Sequence, residues 1–127
     1  MDPVEYFPVA GALESLKLPF SEAVRAGSML YLAGAMGTDE AGALVPGGIE
    51  AETRQALENV GGLLRAVGLD YADVVKCTLY ITDFTEFAAV NAVYREFFQG
   101  DLPTRATVQV TALALGARFE IEVMAAR

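Results

Sequence analysis

The chain has 127 residues, a formal net charge of −8, no histidine and one cysteine, with an isoelectric point of about 4.4. That balance argues against a nucleic-acid partner, which calls for Lys and Arg to replace counterions. It also excludes a His-based catalytic base, a His-rich metal site and an internal disulfide. No apolar run approaches the length of a membrane helix and no basic-then-apolar leader is present, so the expectation is a cytoplasmic protein without membrane contact.

The length predicts a single domain over residues 1–127. A hydrophobic fraction of 54% and a mean hydropathy of +0.36 are high for a small monomer. Either apolar patches are exposed or subunits cover them, and an oligomer is the simpler account.

Residues 1–18, with Pro3 and Pro8, read as an extended lead-in with room for a short strand. A strand begins over 19–24, with Phe20 near its start, and Ala26-Gly27 is a turn signal. Met29-Leu30-Tyr31-Leu32-Ala33 is a compact apolar strand ended by Gly34. Residues 35–48 are rich in Gly, Asp and Pro and read as a surface loop able to border a site.

Over 49–67 the period changes: Thr53, Ala56, Leu57, Val60, Leu63, Leu64 and Val67 recur at helical spacing. Glu50 and Glu52 suit the first turn, and Gly68 suits the C-terminal end. Gly61-Gly62 inside the helix lowers its propensity, which points to close packing against a neighbour.

Residues 74–82 alternate, with Val75, Cys77, Leu79 and Ile81 on one face and Lys76, Thr78, Tyr80 and Thr82 on the other. Cys77 therefore reads as a small buried hydrophobe, lacking the exposure and cationic neighbour of a reactive thiol. Asp83 and Glu86 have capping-box spacing, and a second helix follows to about residue 98. Its apolar stripe is Phe87, Val90, Tyr94, Phe97 and Phe98. Asn91 stands in that stripe, where a polar amide must either satisfy a nearby backbone group or help shape a pocket.

Two alternating strands close the chain. In Pro103-Thr104-Arg105-Ala106-Thr107-Val108-Gln109-Val110, the residues Ala106, Val108 and Val110 point one way; Arg105, Thr107 and Gln109 point the other. In Arg118-Phe119-Glu120-Ile121-Glu122-Val123, Glu120 and Glu122 share a face. If the strands lie near one another, Arg105 can clamp a carboxylate and Glu120 can move protons for a bound water. A cross-strand Arg–Glu ion pair on a wet sheet face uses the same residues and is worth little. Residue types alone leave both readings open.

The order of elements predicts an α+β, two-layer α/β domain, with two helices on the apolar face of a mixed sheet. The second face would hold Lys76, Thr78, Tyr80, Arg105, Thr107, Gln109, Glu120 and Glu122, either solvated or against another subunit.

The stretch from Pro103 through Arg105-Ala106-Thr107-Val108-Gln109-Val110, followed by Leu115-Gly116-Ala117-Arg118-Phe119-Glu120-Ile121-Glu122, resembles the C-terminal signature of the RidA (YjgF) family of reactive-intermediate deaminases, in the endoribonuclease L-PSP-like superfamily. The resemblance runs back through Val90-Asn91-Ala92-Val93-Tyr94, Asp73-Val74-Val75-Lys76, Gln55-Ala56-Leu57-Glu58-Asn59-Val60 and Pro19-Phe20-Ser21-Glu22-Ala23-Val24, in the right order. It implies a chorismate-mutase-like fold assembled as a homotrimer with ligand clefts between subunits. It also implies hydrolysis of 2-imino acids, formed from the enamines of Ser- or Thr-dehydrating enzymes, to 2-oxo acids and ammonia. On matching positions Arg105 grips the substrate carboxylate, Glu120 activates water and relays a proton to the departing nitrogen, and Asn91 lies near the cleft. No metal or organic cofactor is implied.

The chain departs from the family pattern at several site positions. Phe20 stands where Tyr is frequent, Thr107 where Cys is, Ala33 where Ser is, and Ala35 where Gln is. Thr107 keeps a backbone carbonyl to offer a water or imine, but the polar lining is thinner, which suits a larger or more apolar substrate. Two other classes compete with the deaminase. One is a non-catalytic module that binds small 2-oxo or amino acids, needing Arg105 but not Glu120. The other is an RNA-acting protein, which the acidic charge and absent histidine oppose.

Overall fold

The computed structural model describes residues 3–127. The strands are β1 (Val4–Pro8), β2 (Ser21–Ala26), β3 (Met29–Leu32), β4 (Ala35–Met36), β5 (Val74–Ile81), β6 (Thr104–Gln109) and β7 (Phe119–Ala126), and the helices are α1 (Gly48–Ala66) and α2 (Phe87–Phe97). The strands form one seven-stranded sheet in the order β1-β2-β3-β7-β5-β6, with β4 pairing onto β7. All ladders are antiparallel except β5–β6, which is parallel, as a crossover through α2 requires. The result is the expected α+β arrangement, a mixed sheet with two helices on one face. Among the described residues no helix is long and apolar enough to cross a membrane.

The lead-in is more structured than its composition suggests. Val4–Pro8 pairs with β2, and residues Gly11–Leu16 form a 3₁₀ turn that leaves Leu16 exposed. The long loop after β4 is pinned by Asn59, whose Nδ2 donates to the carbonyls of Met36 (3.1 Å) and Thr38 (3.0 Å).

The core lies between α1, α2 and one face of the sheet. Leu57 and Leu64 of α1, Leu79 and Ile81 of β5, Val90 of α2, and Phe119 and Ile121 of β7 are all fully buried. Each such side chain contributes about 1.5–3 kcal/mol relative to exposure. The close packing expected at Gly61 is present: an added Cβ would collide with the Tyr71 hydroxyl, which donates to the Leu57 carbonyl at 2.7 Å. Gly62 differs, facing open space. Cys77 is fully buried, as expected.

Three local expectations are corrected. The register of β5 against β7 shifts between Val74 and Lys76. This bulge turns Val74 into the core and leaves Val75 44% exposed, so Val75 does not share the face of Cys77. Asp83 does not join Glu86 in a capping box. It accepts from the Thr85 N–H at 2.9 Å and caps a 3₁₀ turn over Phe84–Glu86, while Glu86 accepts from Arg118 at 3.0 Å. A capping box forms instead between Asp70 and Asp73.

The third correction matters most. Directly paired residues on neighbouring strands share a face. In the β5–β6 ladder Cys77 pairs with Arg105 and Leu79 with Thr107, whereas Tyr80 pairs with Val108. Arg105, Thr107 and Gln109 therefore belong to the helix side, while Ala106 and Val108 lie on the open face with Tyr80, Glu120 and Glu122. Strict alternation does not reveal which face is inward. Here β6 is an edge strand, and the aromatic residues of α2 above it accommodate an arginine stem and head better than small apolar side chains.

Candidate active site

Arg105 follows Pro103 at the start of an edge strand, where a missing N–H does little harm. Its guanidinium has a built seat on α2. Phe87, Asn91 and Tyr94 fall at i, i+4 and i+7, one stripe of the helix. The guanidinium carbon lies 4.8 Å from the Tyr94 ring centroid and 5.5 Å from that of Phe87, within cation–π range. Arg105 Nη2 donates to Asn91 Oδ1 at 2.7 Å. Asn91 thus answers the question its place in the stripe raised: it spends its carbonyl on Arg105, not on backbone.

Among the described residues the ion pairs are Arg54–Glu96, Arg65–Asp70, Arg118–Glu86 and Arg127–Asp73. Arg105 is in none of them. A half-buried guanidinium held by a neutral amide and two rings keeps donors for an external carboxylate. Beneath it lies Cys77, which does have a cationic neighbour, but burial pushes its thiol pKa up and closes it to solvent. Thr107 is two residues further along the same side of β6 and partly exposed.

Glu120 is on the opposite face of the sheet. It pairs with Tyr80 on one side and Met36 on the other. Its carboxylate rests against Gly34, where an added Cβ would fall 2.7 Å from Oε2. Partial burial, and then the charge of Glu122, raise its pKa above the ordinary carboxylate value. Glu122 in turn accepts a 2.7 Å hydrogen bond from the Tyr80 hydroxyl. A carboxylate held in this way retains a proton more readily than a solvated one, as an acid–base group requires.

The fold therefore does not bring Arg105 and Glu120 together within one chain. Their strands both flank β5 and do not pair with each other, and their side chains leave the sheet on opposite sides. A large cleft elsewhere on the chain contains neither. It has a volume of about 890 Å³ and runs between the Gly11–Leu16 turn, the loop after β4 and α1. Phe20, Ala33, Gly34 and Ala35 line it, so it opens beside the seat of Glu120. Phe20 is 54% exposed.

Two supporting residues were read in the sequence only for local structure, Gly34 as a strand end and Glu52 as a first-turn acid. Gly34 leaves room for the Glu120 carboxylate. Glu52 is 4% exposed and accepts the Arg118 N–H at 2.8 Å, tying α1 to the start of the Glu120 strand. The sequence carries a signal for Glu52: it sits among Ile49, Thr53 and Ala56 on the buried side of α1, a place for an apolar residue unless a specific donor awaits it.

Comparison with known proteins shows the family of the chain. A family model, Endoribonuclease L-PSP, matches residues 12–127. The mouse 2-iminobutanoate/2-iminopropanoate deaminase is 46% identical over 108 residues, covering 84% of this chain and 80% of the mouse protein. The crystal structure of RidA from the Antarctic bacterium Psychrobacter superposes with a TM-score of 0.84 at 33% identity, covering 96% of this chain and 94% of that one. Escherichia coli TdcF with bound serine gives a TM-score of 0.83 at 34% identity, covering 100% of this chain and 99% of that one. A family match across most of the chain, close relatives by sequence and the same fold in solved structures have one consequence: the chain belongs to the endoribonuclease L-PSP family, of which the RidA (YjgF) proteins are members.

Proposed function

We propose that this protein hydrolyses 2-imino acids to 2-oxo acids and ammonia, in clefts formed between copies of the chain. The observation that carries the proposal is Arg105, an arginine without an acidic partner among the described residues, seated by Asn91 and two aromatic rings. The printed names of the deaminase relatives give the reaction class.

In this reading Arg105 takes the substrate carboxylate in a two-pronged hydrogen bond and fixes the C=N bond in space. With the imine nitrogen protonated, Glu120 removes a proton from a water as that water adds to the imine carbon, and the C=N electron pair moves to nitrogen, giving a neutral carbinolamine. Glu120 then returns that proton to nitrogen, and the C–N bond breaks as the hydroxyl gives its proton to Glu120. The 2-oxo acid and ammonia leave, and Glu120 passes the last proton to the ammonia to regain its ionised form. Thr107 and Phe20 complete the lining, Thr107 through its backbone carbonyl. The elevated pKa of Glu120 fits a group that alternately accepts and donates, a property a purely binding module does not need.

Because Arg105 and Glu120 leave the sheet on opposite sides, two copies must meet to complete a site. The open face offers the means: Tyr6, Tyr31 and Val108 are exposed on it at 68%, 41% and 43%. Apolar surface of that kind favours association. The family resemblance implies three copies. One unpaired, buried cysteine suits a reducing compartment, in keeping with a cytoplasmic enzyme.

The test is a coupled assay. An amino-acid oxidase generates 2-imino acids in the presence of semicarbazide, which traps them, and the protein competes by hydrolysis. Wild type suppresses the trapped product, and Arg105→Ala loses about a hundredfold or more of that suppression. Failure of wild type across a series of imines overturns the proposal.

A further inference from the structure

We infer that the substrate class of this site is 2-imino acids with large apolar side chains, of leucine or phenylalanine size, and that the side chain occupies the cleft beside Gly34. The inference rests on the imine-hydrolase reading above and deepens it.

Gly34 is common to the cleft and to the seat of the proposed catalytic carboxylate: it lines the cleft, and the Glu120 carboxylate, which is not itself part of the lining, packs against it. An imine carbon beside Glu120 therefore has the cleft within reach of its substituent. The volume, about 890 Å³, is in the range of small-molecule pockets and far exceeds a methyl or ethyl group. Leu13, Leu16, Leu18, Met36 and Leu63 give it an apolar lining.

Charge says which end of the substrate enters. Among the described residues no Lys or Arg lines the cleft, and the ionisable groups that do are Glu22, Asp39, Glu40 and Glu58. Such a cleft repels the substrate carboxylate, which goes to Arg105, and it also repels an acidic side chain. An apolar substituent meets no such cost.

Two features keep the cleft open. Gly62 lies in the interior of α1, where alanine would favour the helix, yet an added Cβ there would meet nothing within 4 Å. A glycine at this point leaves that side of the cleft unfilled. Leu115 has φ of +63°, unusual for a side-chain-bearing residue, and this turn holds it 61% exposed at the rim. Leu16 and Phe20, at 62% and 54%, are also exposed there. Solvent-facing leucines and a phenylalanine around an apolar cleft suit contact with an apolar ligand. The chain is also apolar at Phe20, Ala33 and Ala35, where the family pattern offers hydroxyl and amide groups.

The experiment compares imines made from alanine and from leucine in the oxidase–semicarbazide assay, with wild type and Gly62→Leu, which puts a side chain into the cleft from its α1 side. In wild type kcat/KM for the leucine-derived imine exceeds that for the alanine-derived one by about tenfold or more. In Gly62→Leu that ratio falls to about one. Equal rates in wild type, or a ratio that survives Gly62→Leu, overturn the inference while the hydrolase reading stands. No turnover of either imine overturns both. Product inhibition of wild type needs no variant. 4-Methyl-2-oxopentanoate inhibits at least about tenfold more strongly than pyruvate if the cleft takes the side chain, and equal inhibition counts against it.

Discussion

Arg105 donates a hydrogen bond of 2.7 Å to Asn91 and lies beside the Tyr94 ring, with no ion pair to an acid among the described residues. A neutral acceptor in that place orients the guanidinium without neutralising it. An acidic one would do both.

Asn91→Asp tests this directly. The new carboxylate occupies the position of the amide and forms an internal ion pair with Arg105. It then competes with the substrate carboxylate for the same donors. A charge-assisted hydrogen bond is worth about 1.5–3 kcal/mol, so KM rises about 10- to 100-fold. The melting temperature does not fall, because the fold gains a contact. Steady-state kinetics and a thermal melt on one preparation decide the matter. An unchanged KM would mean that Arg105 does not receive the substrate.

The acid–base role of Glu120 carries a pH signature. Its pKa is raised first by partial burial and second by Glu122. If the ionised form draws a proton from water, kcat/KM climbs with pH through that raised value. Glu122→Gln removes the second cause, so the acidic limb moves to lower pH. The stability effect has the opposite sense. A carboxyl whose native pKa lies above its unfolded value favours the fold below the unfolded value, about 4.3 for glutamate. That advantage is lost as pH rises through the native value. At neutral pH Glu120→Gln therefore melts no lower than wild type while its turnover falls about 10²–10⁴-fold. A variant that lost stability and activity together would point to a structural carboxylate instead.

Gly34→Ala separates space from backbone. Gly34 has no left-handed φ, so alanine is sterically acceptable to the chain and reduces the freedom of the unfolded state. The obstacle is the Glu120 carboxylate, 2.7 Å from the new Cβ. A flexible side chain end yields easily, so the melting temperature holds or rises. The carboxylate, however, leaves its place, and a displacement of about 1 Å costs on the order of 10²-fold in rate. Activity retained at the wild-type level would show that Glu120 needs no fixed position.

The helices and most strands of this fold are written in periodicity. The spacing from Ile49 to Val67 predicts α1 almost to the residue, and the stripe through Val90 and Tyr94 predicts α2. The inward face of β6 is not written there. Arg105 and Thr107 alternate with Ala106 and Val108 in a way that fits either orientation. What decides between them is the parallel register against Cys77 and the ring-lined seat on α2, both set by residues distant in sequence. The same holds for Val75, whose outward turn comes from a bulge that a period-2 pattern does not register. Asn91 was legible as an anomaly because a polar residue interrupts an apolar stripe. The part Gly34 plays at Glu120 was not, since it consists of the volume the glycine leaves to the carboxylate.

The opposite faces of Arg105 and Glu120 lead to a prediction that no single-chain site would satisfy. Arg105→Ala and Glu120→Ala are each inactive as homo-oligomers. When the two are unfolded together and refolded as a mixture, some interfaces bring the intact Arg105 of one copy against the intact Glu120 of another. With random mixing in a closed ring, about a quarter of the sites receive both intact residues, and roughly that share of wild-type activity returns. If one chain supplied both groups, every site in the mixture would lack one of them and no activity would return at any ratio. Val108→Lys provides the complementary arm. Val108 is exposed on the open face, and a charge buried there on association carries a desolvation penalty without a partner. The variant sediments as a smaller species and is inactive, although Arg105 and Glu120 are both present. Mixing that restores nothing, or a fully active Val108→Lys monomer, would place the chemistry within one chain and require its two side chains to cross the sheet.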